Sequence, residues 1–273
     1  MADVYRKGPV ELRLGDYREV LADLQPSTDG SHVWPNTVLA DPPFSARTHN
    51  GQRHARKERR YTRDKAATCL AHRGIEYTAW TDADLQAFVA RWGPVPGWLG
   101  VLTSHDLVPR YETLLRDASR YVFAPLSCVQ HARNVRLAGD GPANWTDHLV
   151  VSRPRTLRAW GALPGAYVGT SHDKGENSLD RSKRIVPGGK PLWLMRALVR
   201  DYSRPGDLVC DPCAGGATTL IAAALEGRRA IGAELDPDTY AKACARIERT
   251  ALTPPLPGLE RDPMDGTQEG LDL

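Results

Sequence analysis

Apolar and polar positions recur along this chain with two periods, near 2 and near 3.6, and the switches between them mark its elements. Val10–Leu14 is short and β-capable and runs into Gly15-Asp16, a strand followed by a turn. Val20, Leu21 and Leu24 fall at helical spacing and predict a short helix over 17–24. Thr37–Ala40 is an apolar run that has to stop at Asp41-Pro42-Pro43, because proline cannot continue a central strand. Leu85, Phe88, Val89 and Trp92 share one face of a helix over 82–92. Strands are expected at 98–102 and 121–126, on either side of a helix over 107–118, with a further strand at 148–151.

Residues 153–190 are rich in glycine, proline and charge and read as loop. Pro191 then opens a helix, at the first helical position that proline favours. Its core face is Leu192, Met195, Leu198, Val199 and Tyr202, and Pro205-Gly206 ends it. A buried strand at 208–210 leads to a helix over 218–226, with Gly227 as its C-terminal cap. A strand at 230–233 follows. Asp236 caps the last helix, with Pro237 in its first turn and Tyr240, Cys244 and Ile247 toward the core. Strands alternating with helices predict an α/β fold, a mostly parallel sheet covered on both faces.

A chain of 273 residues suits one large α/β domain, here over 1–251. With 41% hydrophobic and 25% charged residues it has an ordinary globular composition. No apolar run approaches the ~20 residues that span a bilayer, so no membrane partner is expected. Met1 to Lys7 is polar without an apolar signal core, which predicts residence in the cytoplasm. Cys69, Cys128, Cys210, Cys213 and Cys244 are odd in number and scattered, as free thiols rather than a disulfide framework.

Charge is uneven. Residues 45–75 carry nine Lys/Arg against two acids, residues 152–190 eight against three, and the Pro- and Gly-rich tail 252–273 one against five. The tail reads as disordered. The two basic segments either meet a polyanion or are solvated loops.

Two motifs carry chemistry. The first is Asp211-Pro212-Cys213-Ala214-Gly215-Gly216-Ala217-Thr218-Thr219, between a strand and a helix, with Glu234 ending the next strand 19 residues after Gly215. Such a turn lets a ligand approach the backbone and helix amides, and a carboxylate at the second strand tip can hold two ribose hydroxyls. Any nucleoside-bearing cofactor fits that far. The GxGxxG spacing of a dinucleotide site is missing, and so is the GK[ST] of a P-loop. Asp211 disfavours a phosphate and suits a cationic amino group. Cys210-x-x-Cys213 has no second ligand pair for zinc, and no metal is expected.

The second motif is Asp41-Pro42-Pro43-Phe44. An exocyclic amine on a base is a poor nucleophile, because its lone pair is delocalised into the ring. The Asp41 carboxylate and the Pro42 carbonyl can each accept one N–H, turning the nitrogen toward tetrahedral geometry. The prolines keep the acceptors fixed. Phe44 can stack on a base that has left the duplex.

Together with Lys190-Pro191 and Ile231-Gly232-Ala233-Glu234, these motifs resemble the N4/N6 amino-methyltransferases of DNA, in the permuted class called beta, where the catalytic motif precedes the methionine-binding one. The matching blocks cover roughly half of the chain. The resemblance implies a Rossmann-like methyltransferase sheet and S-adenosyl-L-methionine as cofactor. It places Asp211, Cys213, Gly215, Gly216, Thr218 and Thr219 at the methionine end, Glu234 on the ribose, Asp16 at the adenine, and Lys190 among the cofactor-binding residues. Cys213 stands where the family usually has Phe, and Ala217 where it has Gly, a change that is tolerated at negative φ.

The resemblance also implies double-stranded DNA as partner and a target-recognition region over 153–188. Arg47, Arg53, Arg56, Lys57, Arg59, Arg60 and Arg63 of the basic loop are the candidate phosphate contacts. Both segments are short, so the recognition site is small or a second subunit, as in a homodimer, contributes. Asp as the first residue of the catalytic motif accompanies adenine N6 in this family, and Ser usually accompanies cytosine N4. The open alternatives are cytosine N4, an RNA or protein amine on the same core, and a non-catalytic nucleic-acid-binding protein.

Overall fold

A computed structural model of the chain describes residues 3–26, 33–46, 78–131, 141–170 and 188–252. The basic loop from Arg47 onward, residues 171–187 of the expected target-recognition region and the acidic tail from residue 253 lie outside the described residues. Among the described residues the strands join in one sheet: β1 (Val4–Lys7), β2 (Val10–Leu14), β3 (Thr37–Ala40), β4 (Leu99–Thr103), β5 (Arg120–Val122), β6 (Leu126–His131), β7 (Thr146–Pro154), β8 (Ala166–Thr170), β9 (Leu208–Asp211) and β10 (Arg229–Glu234). The order across it is β1-β2-β10-β9-β3-β4-β7-β6-β8, with β5 paired to β7.

The five strands β2, β10, β9, β3 and β4 run parallel, as the alternation of strands and helices predicts. The flank departs from that expectation, because β7 returns antiparallel to β4, β5 and β6. All of the parallel strands therefore end at one edge, and β7 begins there.

Helices cover both faces. On one lie α1 (Tyr17–Val20), α2 (Asp82–Trp92) and α3 (Val108–Asp117). There Phe88, Trp92, Tyr111 and Leu115 pack against Val38, Val101, Cys210 and Ile231. On the other lie α4 (Leu192–Tyr202), α5 (Thr218–Leu225) and α6 (Pro237–Arg249). Met195, Leu198, Leu220 and Ile247 there meet Leu12, Leu39, Leu149 and Val209. Each such side chain contributes about 1.5–3 kcal/mol through burial, which is what holds the helices to the sheet. No helix among the described residues is long and apolar enough to cross a membrane.

Three expectations are corrected. The strand placed at 121–126 is two strands, because Pro125 has no N–H for the ladder and breaks the run after Val122. Within 153–190, read as loop, β7 continues to Pro154 and Ala166–Thr170 forms β8, parallel to β6. Gly169 gives no turn there. It makes room for Trp193, whose ring would lie 2.6 Å from any Cβ at that position. Pro191 is the N-cap of α4 rather than its first helical residue, with extended φ −66° and ψ 146°.

Candidate active site

The pairing of β3 with β9 sets Val38 opposite Cys210, so Asp41 and Asp211 emerge from neighbouring strand ends. Glu234 ends the next strand, β10, and Asp16 follows β2. Crevices outside the carboxyl ends of parallel strands are where α/β sheets bind ligands.

Asp211 is 1% exposed. Its carboxylate accepts from the Cys213 backbone N–H at 3.0 Å and from the Thr219 hydroxyl. Burial pushes it up to about 7, against those two hydrogen bonds and with help from the charges of Asp41 and Glu234. Among the described residues it forms no ion pair. A buried carboxylate without a counter-cation fits a ligand that brings an ammonium group.

Glu234 is drawn to the same turn. Its Oε2 accepts from Gly215 N at 2.8 Å and its Oε1 from Asp236 N at 2.9 Å, while burial raises its pKa. Each oxygen keeps a further lone pair for a ligand hydroxyl. At Gly215, φ is +51° and a Cβ would meet nothing within 4 Å, so the backbone faces open space. Arg246 of α6 fixes the turn from behind, donating to Gly216 O at 2.9 Å and to the Thr218 hydroxyl at 2.7 Å. Ala217 sits at φ +60°, ψ 27°, in the left-handed region and not at the negative φ that its methyl prefers. Cys210 and Cys213 are free thiols whose pKa burial raises well above the usual value.

Asp16 caps α1, accepting from Arg18 N at 2.9 Å, and pairs with the Arg18 guanidinium at 2.6 Å. Lys190, grouped with the cofactor residues in the sequence, meets the Asp41–Phe44 turn. Its ammonium lies 2.7 Å from both carboxylate oxygens of Asp41 and 4.9 Å from the centre of the Phe44 ring. The pair joins residues 149 positions apart.

Three residues absent from the motifs stand close by. Asp147, 4% exposed, is 3.6 Å from the Lys190 ammonium and accepts from Gln130 Nε2 at 3.1 Å. Tyr111 is fully buried, its hydroxyl has no hydrogen-bond partner among the described residues, and it feels the charge of Asp41. A signal for Asp147 was available. It shares the face of β7 with Leu149 and Val151, and an acid in that register has to be buried.

The arrangement offers a buried carboxylate for a ligand ammonium, a second carboxylate for hydroxyls, and beside them a carboxylate and an aromatic ring for another molecule. Comparison with known proteins narrows the chemistry. The model of the N6/N4 methyltransferase family, described as DNA methylase, matches residues 52–244. The chain belongs to this DNA methylase family. The matched stretch takes in Lys190, the Asp211–Thr219 turn and Glu234, and begins just after the Asp41–Phe44 turn.

Other methylases match over part or most of their length. YubD of Escherichia coli (strain K12), a methylase candidate, is 32% identical over 106 residues, covering 32% of this chain. The match spans 44% of that relative's length. Among solved structures, the M1.HpyAVI–SAM complex superposes with a TM-score of 0.60 at 17% identity, over 87% of this chain and 98% of the other. The cytosine-N4-specific PvuII DNA methyltransferase gives 0.60 at 14%, over 91% and 90%. At such identities the likeness is one of fold. It shows that the chain has the same α/β fold as those two proteins.

Proposed function

We propose that this chain is an S-adenosyl-L-methionine-dependent DNA methyltransferase acting on the exocyclic amine of a flipped base, with adenine N6 as the target. The observation that carries the reading is the emergence of Asp41 and Asp211 from adjacent strand ends, near enough that the charge of Asp41 helps to raise Asp211. A site for a cationic amino acid moiety and a site for an amine to be alkylated thus share one crevice.

In this reading Asp211 holds the cofactor's amino group, the Gly215–Thr219 turn its backbone side, Glu234 the ribose hydroxyls and Asp16 the adenine. Bound there, S-adenosylmethionine supplies a methyl group on a sulfonium, an electrophile strong enough to need no metal. The chain's own residues do the rest. Asp41 and the Pro42 carbonyl accept the two N–H groups of the target amine and direct its lone pair. Asp41 is a charged acceptor, stronger than the hydroxyl of a Ser at that place, which favours adenine over cytosine. Phe44 stacks on the extruded ring. The basic loop holds duplex DNA by its phosphates, residues 153–188 contribute to target recognition, and a second copy of the chain completes that surface.

Expression in a methylation-deficient bacterium, followed by nucleoside digestion and mass spectrometry of its DNA, tests the reading. N6-methyladenine is the expected product. N4-methylcytosine would sink the adenine assignment alone, and DNA free of both would sink the DNA reading.

A further inference from the structure

The reaction as proposed makes no use of Asp147 or Gln130, yet both are buried at the rim of the site, 4% and 1% exposed. They belong to adjacent strands: Asp147 is the second residue of β7, opposite Cys128 of β6, and Gln130 lies two residues further along β6. The Cys128 thiol beneath them is pushed up to about 12, mainly by burial, and feels Asp147, Lys190 and Asp41 together. The three charged groups thus form one cluster.

Burying a carboxylate on the apolar face of a strand costs stability unless it is paired and hydrogen-bonded. Gln130 supplies one hydrogen bond, and Lys190 supplies the charge. The ammonium touches both oxygens of Asp41 at 2.7 Å and lies 3.6 Å from Asp147. One cation is therefore shared by two anions. If it rested on Asp41 alone, its field would weaken that carboxylate as an acceptor.

We propose that Asp147 is a positioning residue for methyl transfer: by drawing on the Lys190 ammonium, it keeps the Asp41 carboxylate oriented and free to accept the target N–H. This rests on the reading of Asp41 as the acceptor of that amine. In this role Asp147 acts through Lys190 and not on a reactant.

A double-mutant cycle over wild type, Asp147→Asn, Lys190→Gln and the double variant separates this from a role in folding. Asp147→Asn lowers kcat by roughly ten- to a hundredfold, with the KM and calorimetric Kd for S-adenosylmethionine unchanged. The double variant is no slower than Lys190→Gln alone. Equal losses in both backgrounds, or an unchanged kcat in Asp147→Asn, overturn the proposal.

A second arm needs no activity. Carbon-13 NMR of labelled aspartate follows the Asp41 titration, which Asp147→Asn moves down further when Lys190 is present than when it is Gln. Equal shifts would mean that the two carboxylates interact directly, and the proposal falls. Should wild type methylate no DNA, the proposed function fails, and this arm still decides the role of Asp147.

Discussion

The carboxylate of Glu234 accepts a hydrogen bond from the backbone N–H of Gly215 at 2.8 Å. The tip of β10 and the turn after β9 are thereby locked together, and any ligand that Glu234 holds is placed against that turn. Glu234→Ala removes this anchor along with the ligand contact. S-adenosylmethionine affinity is expected to fall roughly 10- to 150-fold, the effect of losing a charge-assisted hydrogen bond. The melting temperature falls as well, since Gly215 and Asp236 lose their acceptor. Calorimetry and thermal melting check both, and wild-type affinity in the variant would move the cofactor elsewhere.

The protonation of Asp211 predicts a pH dependence. Burial raises its pKa from 3.8 to about 7. Between those values the native state holds a proton that the unfolded chain has lost, so ligand-free stability falls as pH rises and levels off above about 7. A bound ammonium favours the ionised form. Cofactor affinity therefore falls as pH drops below about 7, by up to about tenfold per unit, with proton release on binding. Calorimetry in buffers of different ionisation enthalpy measures this. Asp211→Asn should lose both affinity and pH dependence, and a pH-independent wild type would contradict the assignment.

Asp41→Ala should abolish methyl transfer and leave cofactor binding nearly intact. It also strips Lys190, whose side chain is 5% exposed, of its nearest anion. Breaking a buried pair costs about 3–5 kcal/mol, and Asp147 at 3.6 Å keeps the loss below that range. Denaturant unfolding gives the stability term, and methyl incorporation gives the activity.

Ala217→Gly tests the left-handed residue before α5. Relief of a positive φ contributes about 1–2 kcal/mol. Against it stand about 0.4–1 kcal/mol of unfolded-state entropy and about 0.8 kcal/mol for a buried methyl. The terms nearly cancel, so the melting temperature should stay within a few degrees of wild type. A large drop would show that the methyl packs for a purpose.

Neutralising Arg56, Lys57, Arg59 and Arg60 should weaken binding to all DNA sequences about equally. It should also flatten the salt dependence by up to ~0.9 per lost phosphate contact. An altered target sequence with an unchanged salt slope would make the loop a reader of bases.

The parallel core was legible because its signals are local. Apolar runs ending at Asp41-Pro42 and at Asp211-Pro212, and helical faces such as Leu85–Trp92, each fix an element within a few residues. The flank was not, because β8 depends on a partner far away in sequence: its segment reads as loop until Trp193 is seen to fill the space above Gly169. The same holds at the site. Motif spacing picked out Asp41, Asp211 and Glu234, whereas the seat of Lys190 on Asp41 is a contact across 149 residues that no spacing announces. Asp147 escaped for want of a motif, although its register on β7 marked it as buried.

The place of β10 and β9 between β2 and β3 has a consequence for how the molecule is made. A nascent chain that has not yet reached Leu208 holds both outer neighbours of a gap two strands wide. At about 4.8 Å per strand that gap leaves no native ladder across the middle. Strands β9 and β10, the last among the described residues, are the keystone, and they carry Asp211 and Glu234. Closure of the sheet thus waits for these two strands, a high-contact-order route that exposes unpaired edges until they pair. A fragment truncated before Leu208 is left without a closed sheet and without Asp211 and Glu234, the two carboxylates proposed to hold the methyl donor.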